Sequence, residues 1–329
     1  MSEKALIASI RLEMEMKRKN GAKYLLLTPG NYGADFVKEN AKLDAARIRL
    51  QTPTAGVDCV CNIPYINDKT AEHMLDVYFP ENSNERLPVI IDIHGGGWMS
   101  GSKEINKNFC TNIAVKGFCV FSINYRLAGK HKFNEQIEDI FEAFDWIAQN
   151  AGAYPADLEN AFLAGDSAGG HYACTAAAVS SSFILQKDFA MAKPKIKFKA
   201  VAAISPAIDL TAPNPALNIN LPELLGRHFR QSPYYKYMNL RKVATNHMPP
   251  FYICTSTGDF LRLDSYKLKF TLDKLGIENE LDDFKGKYVG RVLPHVFAVL
   301  DPTPSYSQEC INHMLDFFSA HAGIISDRA

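Results

Sequence analysis

Apolar and polar positions along the chain form short apolar runs separated by amphipathic stretches. Residues 4–20 and 33–50 repeat apolar positions at helical spacing, and no strand pattern precedes residue 57. The apolar and β-branched runs that predict strands lie at 57–63, 73–79, 88–93, 118–124, 160–164, 198–205 and 250–256. Strands that alternate with helices predict an α/β fold with a mostly parallel, doubly wound sheet.

One long segment interrupts this alternation. Residues 208–248 are rich in proline and contain the cluster Tyr234–Tyr237. We therefore predict a core of residues 56–207 and 249–329, with 208–248 as a cap inserted after the sixth strand. The predicted helices of residues 1–55 are expected to join this cap. The insertion is either a lid over a site or a packed segment that covers apolar surface.

A serine lies where a strand must turn sharply into a helix. Gly165-Asp-Ser-Ala-Gly-Gly170 follows the apolar run 160–164 and precedes an alanine-rich stretch, 168–182, that predicts a helix. Glycines two residues before and after Ser167 are what a nucleophile elbow requires, because a Cβ there would collide with the neighbouring strand and helix. The Ser167 hydroxyl would then project above the sheet, in front of a helix N-terminus that favours negative charge.

Three consecutive glycines follow an earlier strand. His94-Gly95-Gly96-Gly97-Trp98 comes directly after the run 88–93, about 70 residues before Ser167. Alone, such a run favours a flexible turn, but in this order it is typical of an oxyanion hole built from backbone N–H groups. The candidate donors are Gly95, Gly96, Gly97 and Ala168, the residue after the serine.

A serine nucleophile needs a histidine base, and His295 is the best candidate. It lies in a loop, Leu293–Phe297, just before the last predicted helix. His171 comes one turn after the serine and before any plausible acid, so a structural role is expected for it. The remaining histidines after the serine are in a proline-rich segment or on the last helix: His228, His247, His313 and His321.

The acid that orients the base should follow a strand. Asp259 comes directly after the run 250–256, at a strand-to-loop edge, where catalytic carboxylates of open α/β sheets lie. Asp264 is the alternative, although its place near the start of a predicted helix also suits an N-terminal cap. Asp166 cannot point at the same histidine as Ser167 and is interpreted as structural.

Taken together, these motifs resemble the hormone-sensitive-lipase-like branch of the α/β-hydrolases, a group of carboxylesterases and lipases. The matching motifs are His94-Gly-Gly-Gly-Trp98, Asn124-Tyr-Arg-Leu-Ala128, Gly165-Asp-Ser-Ala-Gly-Gly170, Gly258-Asp-Phe-Leu-Arg-Leu-Asp264 and His295-Val-Phe297. The resemblance implies a triad of Ser167, Asp259 and His295. Two departures are the valine at position 296, where the family usually has glycine, and the basic segment 285–291, which is longer than usual.

The resemblance implies a serine carboxylic-ester hydrolase that needs no metal or cofactor and acts on small esters. We expect short, acetyl-like acyl groups, because the cap adds bulk and no long apolar segment suggests a lipase that works at an interface. Trp98, Phe260 and Phe297 adjoin the catalytic elements and are candidates to line the pocket, although core packing would explain each of them equally well. Two alternatives remain: an amide hydrolase, such as a formamidase or small peptidase, and a ligand-binding protein that has lost catalysis.

Composition adds little to this prediction. Lys+Arg and Asp+Glu both number 36, so the net charge is zero and neither nucleic acid nor an anionic membrane is expected as a partner. The apolar run 5–10 is too short for a signal peptide, and we expect a cytoplasmic protein; a homodimer is left open. The 7 cysteines lack C-x-x-C spacing and are predicted to be reduced thiols. Cys59 and Cys61 are predicted to be buried on one face of a strand.

Overall fold

The computed structural model describes residues 32–212, 218, 220–285 and 292–322 of the 329-residue chain. Its strands are β1 (Val57–Pro64), β2 (Met74–Pro80), β3 (Leu87–Ile93), β4 (Cys119–Ile123), β5 (Ala156–Asp166), β6 (Phe198–Ile204), β7 (Phe251–Ser256) and β8 (Asn279–Phe284). They form one sheet in the order β1-β2-β4-β3-β5-β6-β7-β8. Pairing is antiparallel between β1 and β2 and between β2 and β4, and parallel elsewhere. The predicted α/β fold with a mostly parallel sheet is therefore confirmed.

Helices connect the parallel strands and flank the sheet. They are α1 (Tyr32–Leu50), α2 (Lys107–Ala114), α3 (Phe133–Asn150), α4 (Ala168–Ser180), α5 (Phe183–Asp188), α6 (Leu221–Leu225), α7 (Arg262–Leu275), α8 (Phe297–Leu300) and α9 (Ser305–Ala322). The helix predicted over 33–50 is confirmed, whereas the one predicted over 4–20 lies outside the described residues. Among the residues described, no helix is both long enough and apolar enough to cross a bilayer.

The sheet separates two apolar layers, because successive side chains of a strand point to opposite faces. In β3, for example, Ile91 and Ile93 belong to the layer that contains α3 and α4. Ile90 belongs to the other layer, which contains α2 and α9. Both faces of the central strands are covered, which explains why these strands read as continuous apolar runs rather than alternating ones.

The described part of the predicted cap insertion packs closely on the core. The Leu210 N–H donates to the Met238 carbonyl oxygen and the Leu240 N–H to that of Ile208, so the start of the segment pairs with residues 238–240. Tyr237 is fully buried, and its ring lies 4.8 Å from that of Phe189. Residues 213–217 and 219 of the insertion lie outside the described residues.

The prediction of buried, reduced thiols at Cys59 and Cys61 is wrong. Both side chains are exposed, and the two residues form a disulfide with each other. The reason is that β1 is an edge strand, paired on one side only, and the face that carries both cysteines is left open. The other cysteines are buried free thiols: Cys110, Cys119, Cys174, Cys254 and Cys310.

The first turn of α4 lies directly against the end of β3. A Cβ added to Gly169 would lie only 2.0 Å from the carbonyl oxygen of Ile93 and 2.6 Å from that of His94. Both contacts are with backbone atoms, one at the end of β3 and one directly after it, which cannot move aside cheaply. Glycine is therefore required at position 169 for the helix and the strand to pack.

We predict that Gly169→Ala lowers the free energy of unfolding by about 3 kcal/mol or more, because the added methyl overlaps the β3 backbone. Urea unfolding followed by circular dichroism would measure this. Gly152→Ala is the matched control, since a Cβ there meets nothing within 4 Å; its effect should stay within about 0.5 kcal/mol. Equal unfolding free energies for the two variants would contradict the prediction.

Candidate active site

Ser167 sits in a strained turn between β5 and α4. Its φ is 55° and its ψ is −114°, a backbone conformation that L residues rarely adopt. The Ser167 N–H donates to the Ile204 carbonyl oxygen at 2.9 Å, which pins the turn to the neighbouring strand β6. A Cβ at Gly165 would lie 2.4 Å from the carbonyl oxygen of Gly169. These are the features that a nucleophile elbow requires.

Ser167, His295 and Asp259 form one hydrogen-bonded chain. His295 Nε2 lies 2.8 Å from Ser167 Oγ, and His295 Nδ1 lies 2.6 Å from Asp259 Oδ1. The three residues are distant in sequence but meet at the carboxyl ends of the parallel strands, as expected for an open α/β sheet. The arrangement can remove a proton from the serine hydroxyl and hold the imidazole in one tautomer.

Hydrogen bonds join the loop of the histidine to the turn of the acid. The Gly258 N–H donates to the Leu293 carbonyl oxygen at 3.1 Å, and Ser256 Oγ donates to the same oxygen at 2.8 Å. Asp259 and His295 are thus fixed relative to each other at the backbone level. Residues 286–291 of the unusually long basic segment lie outside the described residues, but His295 itself is not displaced from Ser167.

The environment of Asp259 keeps this carboxylate ionised. Burial opposes ionisation, but it is outweighed by the charge and hydrogen bond of His295 and by hydrogen bonds from the Leu261 N–H and the Thr255 hydroxyl, so the pKa of Asp259 is lowered to about 2. The carboxylate therefore stays negative at neutral pH and can stabilise a protonated His295.

Asp264, the alternative acid, has a different role. One of its carboxylate oxygens accepts the N–H groups of Ile208 (3.0 Å) and Asp209 (3.2 Å), and the other accepts Lys267 Nζ at 2.8 Å. It therefore holds the start of the 208–248 insertion rather than the histidine. It does not cap its own helix, in contrast to the role suggested by its position.

His171 has the structural role expected for it. It is fully buried, and its Nε2 lies 2.8 Å from the Tyr237 carbonyl oxygen. Its Nδ1 accepts the Trp98 indole N–H at 3.1 Å. Burial lowers the pKa of His171 to about 4, so the ring is neutral at physiological pH and fits between these two partners.

The loop of residues 94–102, called here the glycine loop, approaches the serine from β3. Gly95 is not available as an oxyanion donor, because its N–H is bound to Asp166 Oδ1 at 2.9 Å. The expectation that Gly95 belongs to the oxyanion hole is therefore wrong. Asp166, interpreted as structural, is the partner that takes this N–H.

The remaining candidate donors are Gly96, Gly97 and Ala168. Within the described part of the chain, none of their N–H groups is bound to a protein acceptor. Gly96 has φ 127° and Gly97 φ 61°, both in the region that favours glycine. Ala168 follows Ser167 at the start of α4, where helix N–H groups have no partner within the helix.

The three aromatic candidates for the pocket lie in different environments. Trp98 is buried in the core and donates its indole N–H to His171, so it belongs to the interior. Phe297 is buried on the other face of the sheet, against Phe284. Phe260 is 49% exposed, and its ring lies 4.3 Å from the His295 ring. Of the three, Phe260 alone is next to the candidate triad.

A side chain that sequence analysis did not single out also reaches the site. Phe36, in α1, would lie 2.6 Å from a Cβ added to Gly97. The amphipathic pattern of residues 33–50 predicts a helix, expected to join the cap, but the pattern does not show that the Phe36 ring covers Gly97. The N-terminal helix therefore borders the candidate oxyanion hole. Over the residues described, no three His, Cys, Asp or Glu side chains are grouped so that they could hold a metal ion.

Comparison with known proteins agrees with this geometry. The BD-FAE family model matches residues 75–262 of the chain, more than half of its length. The chain belongs to the BD-FAE family. This match and the similar structures described below confirm an α/β-hydrolase of the hormone-sensitive-lipase-like type.

The relatives of this BD-FAE chain include esterases. It is 29% identical to the carboxylesterase NlhH of Mycobacterium tuberculosis over 54% of the chain and 50% of the relative, so it spans about half of that protein's length. It is 30% identical to the esterase LipI of the same organism, over 62% of the chain and 66% of the relative. The crystal structure of esterase B from Lactobacillus Rhamnosis is similar with a TM-score of 0.81 and 27% identity, covering 87% of this chain and 92% of the other.

Val296, next to His295, occupies a position where the resemblance predicts glycine. It has φ 50° and ψ 34°, a left-handed conformation that is strained for a β-branched residue. Its N–H donates to Ser205 Oγ at 3.3 Å, and its side chain is buried. The glycine expected at this position would adopt the same backbone without strain.

We predict that Val296→Gly is more stable than Val296→Ala by about 1 kcal/mol, because both variants lose the buried side chain but only glycine relieves the left-handed strain. At a position with negative φ, the alanine variant is instead the more stable of the two. Urea unfolding of both variants would test this. Val299, buried in α8, provides the control pair, in which alanine should be the more stable. An alanine variant at 296 that equals or exceeds the glycine variant would contradict the prediction.

Proposed function

We propose that this protein is a carboxylesterase that hydrolyses small esters with Ser167 as nucleophile, His295 as base and Asp259 as the orienting acid. The observation that carries the proposal is the pair of contacts made by His295, 2.8 Å to Ser167 Oγ and 2.6 Å to Asp259 Oδ1. Similarity to proteins named carboxylesterase and esterase supports the same reaction.

In the acylation step, Ser167 Oγ attacks the carbonyl carbon of the ester while His295 Nε2 takes its proton. The proton then passes to the alcohol oxygen, the ester C–O bond breaks and an acyl-serine remains. Asp259, ionised and buried, stabilises the imidazolium that exists between these transfers. In the second step, His295 activates water to release the acid.

The N–H groups of Gly96, Gly97 and Ala168 are the proposed donors to the oxyanion. Negative charge develops on the carbonyl oxygen in both steps, and donors that are already oriented stabilise it without reorganising. Within the described residues, the N–H groups of Gly96, Gly97 and Ala168 are not bound to a protein acceptor, which supports this assignment. The dipole of α4 acts in the same direction.

The expected substrates carry short acyl chains. Phe36 lies against Gly97 and Phe260 lies beside His295, so two bulky aromatic rings border the candidate site. Esterase B, which is 25% identical over 98% of this chain and 97% of the relative, has been crystallised with a tributyrin phosphonate inhibitor carrying C4 chains. A fungal relative is named versiconal hemiacetal acetate esterase. Both names favour short acyl groups, and a further structure of esterase B carries an inhibitor described as C6-C4.

We predict that hydrolysis of p-nitrophenyl esters is fastest for acetyl to butyryl chains and falls by at least about 10³-fold in Ser167→Ala, since the nucleophile is lost. A series from acetyl to decanoyl with purified wild-type and variant protein would measure both effects. Anilides with the same acyl groups would show whether amides are preferred. Undiminished ester turnover in Ser167→Ala would falsify the proposed nucleophile.

We also predict that Phe36→Ala shifts the acyl preference toward longer chains, because the ring no longer occupies the space next to Gly97. The ratio of kcat/KM for octanoyl to that for acetyl should rise about tenfold, as expected when a pocket gains room for a few methylenes. Phe183→Ala is the control, because Phe183 is 70% exposed on α5, beyond the far end of α4. An unchanged ratio in Phe36→Ala would remove Phe36 from the pocket.

A further inference from the structure

Asn106 is a fully buried polar residue behind the glycine loop, and it occupies the N-cap position of α2. Asparagine at this position usually caps its helix through its side chain. Here the side chain makes no cap hydrogen bond. The helix forgoes its cap, and the amide is directed to other partners.

These partners are two carboxylates on neighbouring strands. Asn106 Nδ2 donates to Asp166 Oδ1 at 2.9 Å and lies 3.2 Å and 3.3 Å from the oxygens of Asp92. On the other side, Asn106 Oδ1 accepts Arg47 Nη2 at 3.4 Å. The amide can take only this orientation, because its NH₂ group must face the carboxylates and its oxygen must face the Arg47 guanidinium.

Asp166 transmits this contact to the glycine loop. The same Oδ1 that accepts Asn106 also accepts the Gly95 N–H at 2.9 Å. The fit is close, because a Cβ on Gly95 would lie 2.5 Å from Asp166 Oδ2. A shift of the Asp166 carboxylate would therefore move Gly95, and with it the next two residues, whose N–H groups are the proposed oxyanion donors.

The charges of the cluster agree with this arrangement. Asp92 is buried and accepts hydrogen bonds from Ser122 Oγ and Cys110 Sγ as well as from Asn106. Burial, and then the negative charge of Asp166, raises the pKa of Asp92 to about 7. Near neutral pH, the cluster thus avoids two full negative charges, and the amide of Asn106 lies between the two acids.

We propose that Asn106 is a positioning residue for the reaction: its amide fixes Asp166, which binds Gly95 and so holds the glycine loop in register with Ser167. This inference rests on the proposed function, because it assigns Asn106 a part in stabilising the oxyanion. A purely structural asparagine would affect only the stability of the fold. A positioning residue must also change the chemical step in molecules that are still folded.

The test compares Asn106→Ala with wild type by steady-state hydrolysis of p-nitrophenyl butyrate. Folding is checked by circular dichroism, and active sites are counted by full titration with a p-nitrophenyl phosphonate. We expect kcat per active site to fall about 10- to 100-fold, as for a misplaced oxyanion donor, with KM changed less than about threefold. The rate of phosphonylation should fall in parallel, because the phosphonyl oxygen uses the same N–H groups.

Asn108→Ala is the matched control. Asn108 lies two residues further along, in α2, and its amide oxygen is buried without a hydrogen-bond partner in the part of the chain that is described. The same substitution there should leave kcat per active site and the phosphonylation rate at the wild-type values. Equal losses in the two variants would mean that any alanine in this turn disturbs the loop, and would overturn the proposal.

A second pair keeps the proposal testable if Asn106→Ala does not fold. Asp166→Asn retains an oxygen that can accept the Gly95 N–H, whereas Asp166→Ala does not. We expect kcat of the asparagine variant to exceed that of the alanine variant at least about tenfold. Equal values would overturn the proposal.

Failure of the inference differs from failure of the proposed function. If Ser167→Ala is inactive while folded Asn106→Ala keeps kcat within about threefold of wild type, the inference alone is wrong. If Ser167→Ala keeps the wild-type rate, the proposed function is wrong, and the role of Asn106 is wrong with it.

Discussion

The backbone of the helix that follows Ser167 lies against the end of β3 with no room for a side chain between them. An added Cβ at Gly169 would lie 2.0 Å from the Ile93 carbonyl oxygen, and one at Gly165 would lie 2.4 Å from the Gly169 carbonyl oxygen. The glycine loop begins directly after Ile93, so this contact determines how far the loop lies from the serine. The left-handed φ of Ser167 is the cost of that close approach.

Around this contact, buried charges are arranged so that each faces hydrogen-bond donors. Asp259 is surrounded by an imidazole, a hydroxyl and a backbone N–H, which together overcome the cost of burial. Asp166 faces the Gly95 N–H and the Asn106 amide. Asp92 has donors too, yet its pKa is raised, first by burial and then by the negative charge of Asp166. The three carboxylates thus lie in fixed places at the carboxyl ends of the strands. Of the three, Asp259 is the one that contacts His295, as the orienting acid of acyl transfer does.

Local patterns in the sequence are sufficient to predict seven of the eight strands described and the three residues that meet at the candidate site. Ser167 is marked by glycines two residues away on each side, and Asp259 and His295 by their places after a strand and before a helix. Each signal lies within a few residues of the position it predicts. The sheet follows from the apolar runs for the same reason, because burial on both faces is visible in the run itself.

The features that could not be predicted depend on partners distant in sequence. In the sequence, Gly95 cannot be distinguished from Gly96 and Gly97. Its N–H is not available to an oxyanion because it is bound to the carboxylate of Asp166, 71 positions away. Trp98 follows the three glycines and Phe297 follows His295 by two residues, but both rings are buried in the interior. Cys59 is exposed because of the edge position of its strand, and strand order cannot be derived from a periodicity of two.

The N-terminal helix α1, predicted to join the cap, contacts the glycine loop at several points. Phe36 covers the glycine loop near the serine, and Asp44 Oδ2 accepts the Gly101 N–H at 3.1 Å near the end of the same loop. Arg47 reaches further, to Asn106 Oδ1 at 3.4 Å. A loop that contains several glycines has high conformational entropy when free, and contacts at both of its ends reduce that freedom. The segment predicted as part of the cap therefore also contacts the loop that carries the proposed oxyanion donors.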